Sequence, residues 1–494
     1  MRLAFVSLVF CGVLGVPFVA CSTKSDDARV APDASDTRPP TPPEWDRAVT
    51  RLDEAAAKAS RSACKFARGA MPAETLGREL PLDKDIPIET VIVLMQENRS
   101  FDSYFGHLGK YAKRTDIESA PETTTVPTTI GPTPGAPHAW QHAPHACFLD
   151  TNHEWSGSHQ EYDDGKNDGF FQANQETPTG PTAALTSGER ALWWYDERDI
   201  PFYYKLGSTF ALGDHYHCSL LGPTWPNRMY LYGGTSFGRT SNVLPDLTSY
   251  PFPDNDAVIF DELEKRHVDW SIYSAGVPGA AVTVGVSIVN RWGRNPVHTI
   301  EQFMTDAAAG MLPKVVFVEG SLGNGGPQAT DEHPPADAQV GQKFVSDVVH
   351  ALFKSPQWAK SALFITYDEH GGLYDHVAPP SACAPDAVLP ILEKSDSAFP
   401  GKFDRLGFRV PLLVVSPFAK RAYVSHVVYD HSSITRFIET KFKLPALSGR
   451  DANADPLMDV FDFQNPPFVT PPEISEPVVD AAELAYCEAT FKKK

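Results

Sequence analysis

Four stretches of the chain are apolar without alternation: "VIVLM" (91–95), "VVFV" (315–318), "LFITY" (363–367) and "PLLVV" (411–415). A strand with one wet face alternates, whereas continuous runs of this length suit strands buried on both faces. Helical periods separate some of them. In "AQVGQKFVSDVVHALF", Val340, Phe344, Val348 and Leu352 fall on one stripe. Strands alternating with helices predict an α/β/α sandwich with a mostly parallel central sheet. Each apolar run stops abruptly in polar side chains: Glu97-Asn98, Glu319, Asp368-Glu369-His370 and Ser416. Ligands of open α/β sheets gather at the carboxyl ends of strands, so a shared crevice is expected there.

Between about 107 and 300 the pattern dissolves into Pro, Gly, Thr and aromatic residues with few long periodic runs. This predicts long, loop-rich insertions over the strand ends that shape an entrance, or a separate inserted subdomain. Ahead of the first strand, Trp45, Val49, Leu52, Ala56 and Ala59 recur at helical spacing and predict a helix on the outside of the body. Residues 22–43, rich in Pro, Ser, Thr and Asp with no apolar period, read as a disordered tether. The start, "MRLAFVSLVFCGVLGVPFVAC", has Arg2, an apolar run and small residues before Cys21. It reads as an export signal over 1–21, too short for a spanning helix. Phe18-Val19-Ala20-Cys21 resembles a bacterial lipobox, which would lipidate Cys21. Phe18 is bulkier than the usual Leu, so cleavage at an ordinary secretory site is the alternative. A lipidated Cys21 would make this an exported lipoprotein, periplasmic or on the outer surface, associated with the membrane through its anchor. Residues 44–494 are then expected to form a single domain.

Length and composition leave this division in place. A chain of 494 residues with 42% hydrophobic and 21% charged residues can bury a sizeable core. The net charge of -19 argues against a nucleic-acid partner, because no basic field offsets a phosphate backbone. It does not exclude a phosphorylated substrate, since a bound metal reverses the local field. Export permits disulfides among Cys64, Cys147, Cys218, Cys383 and Cys487. Five is odd, so at least one is free or paired outside the chain, and Cys218 has the setting of a small buried residue.

The polar stretches carry the candidate chemistry. Glu97, the amide oxygen of Asn98, Asp368 and Glu369 are hard oxygen donors suited to a divalent cation, although adjacent carboxylates also cap helices or simply meet water. His153, in "DTNHEWSGSHQEYDDG", and His333, in "DEHPPADAQVG" beside Asp331, lie among residues that read as positioned loops. Imidazole exchanges protons near neutral pH and, when charged, pairs with phosphate. His107, His138, His142 and His145 carry the plainer structural reading. In "GPTWPNR", Thr224 lies between Pro223 and Pro226, which restrict the backbone and can present its hydroxyl rigidly. A turn threonine bonding its own backbone is the plainer alternative. No Walker loop, G-x-S-x-G elbow, H-E-x-x-H helix or CxxC pair occurs, which weakens nucleotide-driven, serine-hydrolase and zinc-protease readings.

"ENRSFDSYFG", "GPTWPNR", "DEHPP", "TYDEHGGLYDHV" and "YDHSSITRFIE" occur in the order found in a bacterial phosphoesterase family. That family includes exported phosphatidylcholine-type phospholipases C and a periplasmic acid phosphatase, on an alkaline-phosphatase-like fold. The chain resembles it from about residue 88 to "DANADPLMDVFDF" near 463. The resemblance implies a metal-dependent phosphoric ester hydrolase. Glu97, Asn98, Asp368 and Glu369 would hold a divalent metal ion: calcium, magnesium, manganese or iron all suit the donors. Thr224 would be the nucleophile, bridging metal and phosphorus and forming a phosphothreonine intermediate. His153 and His333 would contact phosphate or donate protons, as would Asn98 for phosphate contact. Asp430-His431 resembles the family's late "DH" pair, which can equally cap the following helix, and ranks second with Asp331. The substrate expected is a phosphomonoester or a phospholipid, with no protein partner. The larger phospholipases of the family carry extra C-terminal domains after "FDF", so a compact, phosphatase-like enzyme is slightly favoured. The alternatives are a non-catalytic surface lipoprotein on the same fold and a sulfatase-like hydrolase. The C/S-x-P-x-R context of sulfatases fits "GPTWPNR" poorly.

Overall fold

Every residue from Thr90 to Gln96 is buried, as the unbroken apolar run at 91–95 requires, and this strand lies inside an eight-stranded sheet. The computed structural model describes residues 38–176, 187–243, 258–280, 296–322 and 325–491. The strands are β1 (Thr90–Gln96), β2 (Ala211–Gly213), β3 (Trp270–Ser274), β4 (Val297–Thr299), β5 (Val315–Glu319), β6 (Ser361–Tyr367), β7 (Leu412–Val415) and β8 (Tyr423–Ser425). Their order across the sheet is β8-β2-β7-β6-β1-β5-β3-β4. β6, β1, β5, β3 and β4 run parallel, and β2 and β8 are parallel to each other. Only β7 is reversed, pairing antiparallel with both β6 and β2. The fold is therefore mixed α/β with a mostly parallel sheet.

Register shows how the helices cover it. Val93 is level with Phe317 on one side and Phe364 on the other, so these three share a face. Phe317 packs on Tyr232 of α4 (Thr224–Gly233), and Phe364 on Phe437 of α6 (His431–Phe442). Leu413 is paired with Ile365, on the opposite face, and reaches toward Gly207 in the helix Pro201–Thr209. That helix packs in turn on α5 (Ala338–Lys354). In α5, Phe344, Val348 and Leu352 are buried as the stripe predicts. Val345 and Val349 join them, while Val340 is only half-buried.

Three expectations need correction. The helix read from Trp45 onward begins only at Glu54 and forms α1 (Glu54–Ser62), because the Asp53 carboxylate accepts the Ala56 N–H at 2.9 Å and starts the helix there. Before it, Pro43–Asp46 is a 3-10 turn and Arg51 bonds Leu80 O, which holds the intervening chain extended and leaves Leu52 48% exposed. Ser416 does not face the crevice. Since β7 runs backwards, its end lies at the other edge, where the Ser416 hydroxyl donates to Ser361 O at the start of β6. The described residues within 107–300 are not a separate body either. They supply β2, β3 and β4 to the common sheet.

The export signal with Cys21, and the tether as far as 37, lie outside the described residues. Thr41, within the stretch read as tether, already donates to Lys265 O at 2.7 Å. Cys64 is bonded to Cys383 and Cys147 to Cys487, leaving Cys218 buried as a free thiol.

Candidate active site

The carboxyl ends of β1 and β6, neighbours in the sheet, are tied together strand by strand and loop by loop. Asp368 N–H donates to Gln96 O (3.1 Å) and Arg99 N–H to Glu369 O (3.1 Å). The Asp368 Oδ1 accepts from the N–H of Glu369 at 2.8 Å and from that of Asn98 at 3.3 Å. Asn98 adopts a left-handed backbone, φ 62°, which asparagine tolerates better than most residues. Gly371 allows the two loops to approach. Its φ is +66°, and a Cβ there would stand 2.6 Å from Asn98 O. Glu97, Asn98, Asp368 and Glu369 are thus brought to one place, all of them buried.

Thr224 is the first residue of α4 and is buried. The Asn227 side chain shapes the turn before it: Oδ1 accepts from the N–H of Ser219 and Leu220, and Nδ2 donates to Gly222 O and Pro223 O. One turn after Thr224, on the same face of the helix, comes Arg228. Its Nε lies 3.0 Å from Asp368 Oδ2, Nη2 3.5 Å from Glu97 Oε1 and Nη1 3.6 Å from Glu319 Oε1. The guanidinium therefore docks the N-terminal end of α4 on the acidic ends of β6, β1 and β5.

One guanidinium does not neutralise four buried carboxylates. Burial, then the nearby Asp368, push Glu97 and Glu369 well above the usual carboxylate range. Buried atoms are also left without hydrogen-bond partners: Asn98 Oδ1, Glu369 Oε1 and Glu319 Oε2. Orphaned hard oxygens in an excess of negative charge are the environment a divalent cation needs, so the residues present fit such an ion. The carboxylates of Glu97, Asp368 and Glu369 do not close into one tight group of ligand atoms by themselves; Arg228 stands between two of them.

His153 and His333 approach from two different loops, their ring centroids 5.8 Å apart. Asp150 stands between them, 3.7 Å from His153 Nδ1 and 3.8 Å from His333 Nε2. In each ring Nδ1 meets a carbonyl of its own loop, Thr151 O at 2.8 Å and Pro334 O at 2.7 Å. Those carbonyls call for an Nδ1–H, which leaves Nε2 as the working nitrogen in both. Burial is the largest single influence and opposes the charged form of both rings, but Asp150 together with Glu154 at His153 and Glu97 at His333, and the carbonyl at each Nδ1, exceeds it and raises both above the ordinary histidine value. The Asn98 amide reaches His153 Nδ1 at 3.4 Å, so the histidine pair borders the acidic cluster.

The second-rank residues have supporting positions. Asp331 O accepts the Glu97 N–H at 2.8 Å, and its carboxylate, pushed up to about 6 by burial, receives the N–H of His333. Asp430 caps α6, and His431 Nε2 approaches Asp368 O at 2.7 Å while Tyr216 holds its Nδ1. His431 therefore fixes the main chain behind the acidic pair. Sequence reasoning passed over Arg228, Asn227, Asp150 and Glu319 as site residues. The i, i+4 relation of Arg228 to Thr224 exists only once the helix start is known, whereas the polar end of the run at 315–318 already pointed to Glu319.

The phosphoesterase family profile matches residues 88–445. Phospholipase C B of Mycobacterium tuberculosis is 30% identical over 446 residues, covering 80% of this chain and 81% of that one. Non-specific phospholipase C6 of Arabidopsis thaliana is 32% identical over 434 residues, 80% of this chain and 78% of that one. Among solved structures, one described as a protein in the alkaline phosphatase superfamily from Vibrio parahaemolyticus covers 84% of this chain and 81% of that chain, at 9% identity and a TM-score of 0.39.

Proposed function

The chain belongs to the phosphoesterase family and hydrolyses phosphoric ester bonds, and we propose that it does so as a phospholipase C-type enzyme with Thr224 as nucleophile beside a divalent cation. The observation that carries the reading is Arg228: one turn after Thr224, it bonds Asp368 and reaches Glu97, which ties the candidate nucleophile to the acidic strand ends. Glu97, Asn98, Asp368 and Glu369 would hold the cation. Bound there, a divalent ion supplies positive charge that favours an ionised hydroxyl and offsets charge developing on the phosphoryl oxygens.

Thr224 Oγ, its proton given up to solvent, attacks phosphorus in line as the alkoxide, and the bond from phosphorus to the leaving oxygen breaks. His333 or His153 gives the proton on Nε2 to that oxygen, releasing the alcohol; with a phospholipid this is diacylglycerol. The headgroup phosphate stays on Thr224 as a phosphothreonine ester. The same imidazole then takes a proton from water, which attacks phosphorus and frees the Thr224 oxygen. Arg228 holds Asp368 and Glu97 in place throughout, and Asp150 keeps the imidazoles ready to carry a proton. The relatives' names, both phospholipases C, favour a phospholipid over a phosphomonoester.

Export is part of the same proposal. It is supported by the apolar leader and by two disulfides, which persist in an oxidising compartment. Among the described residues no helix is long and apolar enough to cross a membrane. Lipidation of Cys21 would then provide the membrane association.

The test compares p-nitrophenyl phosphorylcholine with p-nitrophenyl phosphate, with and without chelator. Chelator-sensitive cleavage preferring the choline diester is expected. Thr224→Ala should lower kcat by at least about a thousandfold while the far-UV spectrum stays unchanged. Wild-type turnover by folded Thr224→Ala would remove threonine from the mechanism, and cleavage of the monoester alone would make the enzyme a phosphatase.

A further inference from the structure

A second group of metal-ligating side chains lies at the same edge of the sheet, away from Thr224. β2 is antiparallel to β7 and β7 to β6, so β2 and its parallel neighbour β8 finish at the edge where β6 and β1 finish. β2 is followed by Asp214 and His215, and β8 by His426. Asp214 is fully buried, His215 half-buried, and the side chain of His426 is 55% exposed. His426 Nδ1 lies 2.9 and 3.0 Å from the two Asp214 oxygens. The imidazoles of His215 and His426 are 6.4 Å apart and almost perpendicular, at 83°. One ligand atom from each of the three residues lies within 4.8 Å of the other two.

The main chain under these residues is fixed. Asp214 N–H donates to Ser425 O at 3.1 Å, Tyr429 N–H to His215 O at 3.0 Å, and Arg409 Nη1 to Asp214 O at 2.9 Å. Asp214 Oδ2 is oriented by the N–H of Glu118 at 2.9 Å. Arg409 is the nearby positive charge, and its guanidinium is engaged by the carboxylates of Asp102 and Asp375, not by that of Asp214.

We propose that Asp214, His215 and His426 form a second metal site, selective for a borderline ion such as zinc. Two imidazoles and one carboxylate are the donor set of an open zinc site, with a fourth position left to water on the exposed side. Magnesium and calcium prefer all-oxygen surroundings, which are those of the Glu97–Asp368 cluster. An ion bound there takes the place of the direct His426–Asp214 contact. The segment from His426 to Asp430 leads directly into His431, whose ring backs Asp368. Zinc at this site would add a side-chain tie to the start of that segment.

The experiment uses the purified chain, stripped with chelator and then titrated with zinc, and separately with magnesium, by calorimetry with bound metal counted by atomic emission. His426→Ala and His215→Ala should each bind one zinc fewer per chain than wild type, with the magnesium titration unchanged. Cobalt(II) should give visible d–d bands in wild type that His426→Ala lacks. His426 is exposed, so its variant should fold, and far-UV circular dichroism checks that it does. Equal zinc stoichiometry in wild type and both variants would overturn the site. So would loss of magnesium binding together with zinc, since that would assign the ion to the oxygen-rich cluster.

Discussion

Arg228 carries more of the site than its place in the sequence reveals. It is wholly buried, and three carboxylates from three strands converge on it. Arg228→Met would leave those acids without their protein cation. In chelator it should lower unfolding free energy by about 3–5 kcal/mol, the cost of breaking a buried ion pair from one side. Divalent cation should restore part of that loss, which urea unfolding with and without the ion would measure. Glu97, Asn98, Asp368 and Glu369 were legible as candidates because an apolar run that ends in oxygen donors is visible in one dimension. Arg228 was not, because nothing in "GPTWPNR" says that the helix starts at Thr224 until the fold is known. Asp150 was hidden for a similar reason: it works between His153 and His333, which are far apart in the chain.

A different pair titrates visibly. His376 Nδ1 is bonded to the buried Asp102, and although burial works against the cation, this carboxylate lifts the imidazole from 6.5 to about 9. Because the folded value exceeds the unfolded one, the pair contributes its full stability below about pH 6.5. That contribution fades as pH rises through about 9. Urea unfolding at pH 6 and pH 9.5 should therefore show less stability at the higher pH, and His376→Gln should flatten the difference.

At the scale of elements, the four long apolar runs became β1, β5, β6 and β7 because only buried strands need such runs. β2, β4 and β8 have three residues each, too few for any periodicity, and only their neighbours in the sheet define them. The reversal of β7 was equally invisible, since an apolar run looks the same in either direction, and this is why Ser416 was placed at the wrong edge. The contact between the β1 and β6 loops gives a sharp test. Gly371→Ala would force a methyl group to within 2.6 Å of Asn98 O in a backbone conformation that L-residues avoid. The variant should lose about 1–3 kcal/mol of stability. It should also fall in kcat more than in KM, because Asn98 is what the methyl displaces; steady-state kinetics on p-nitrophenyl phosphorylcholine would show the split.

Over the whole molecule, the two disulfides join positions 319 and 340 residues apart, links that composition and spacing alone could not pair. Cys147–Cys487 brings the helix Ala481–Thr490 against the segment that leads into Asp150. There Glu483 accepts the N–H of Ala146 at 2.9 Å, and Tyr486 stacks on His145 at 3.7 Å. Cys487→Ser should lower stability by about 2–4 kcal/mol, and thermal unfolding in the presence and absence of reductant would measure it.

The same bridge has a consequence in time. A chain made from its amino end presents β1 and Thr224 early, but the partner that braces the Asp150–His153 loop is synthesised hundreds of residues later and cannot be bonded until it meets an oxidant. A nascent or reduced chain thus carries the Asp150–His153 loop without its brace. Under the proposed export, the last covalent step of maturation therefore belongs to the destination rather than to the place of synthesis.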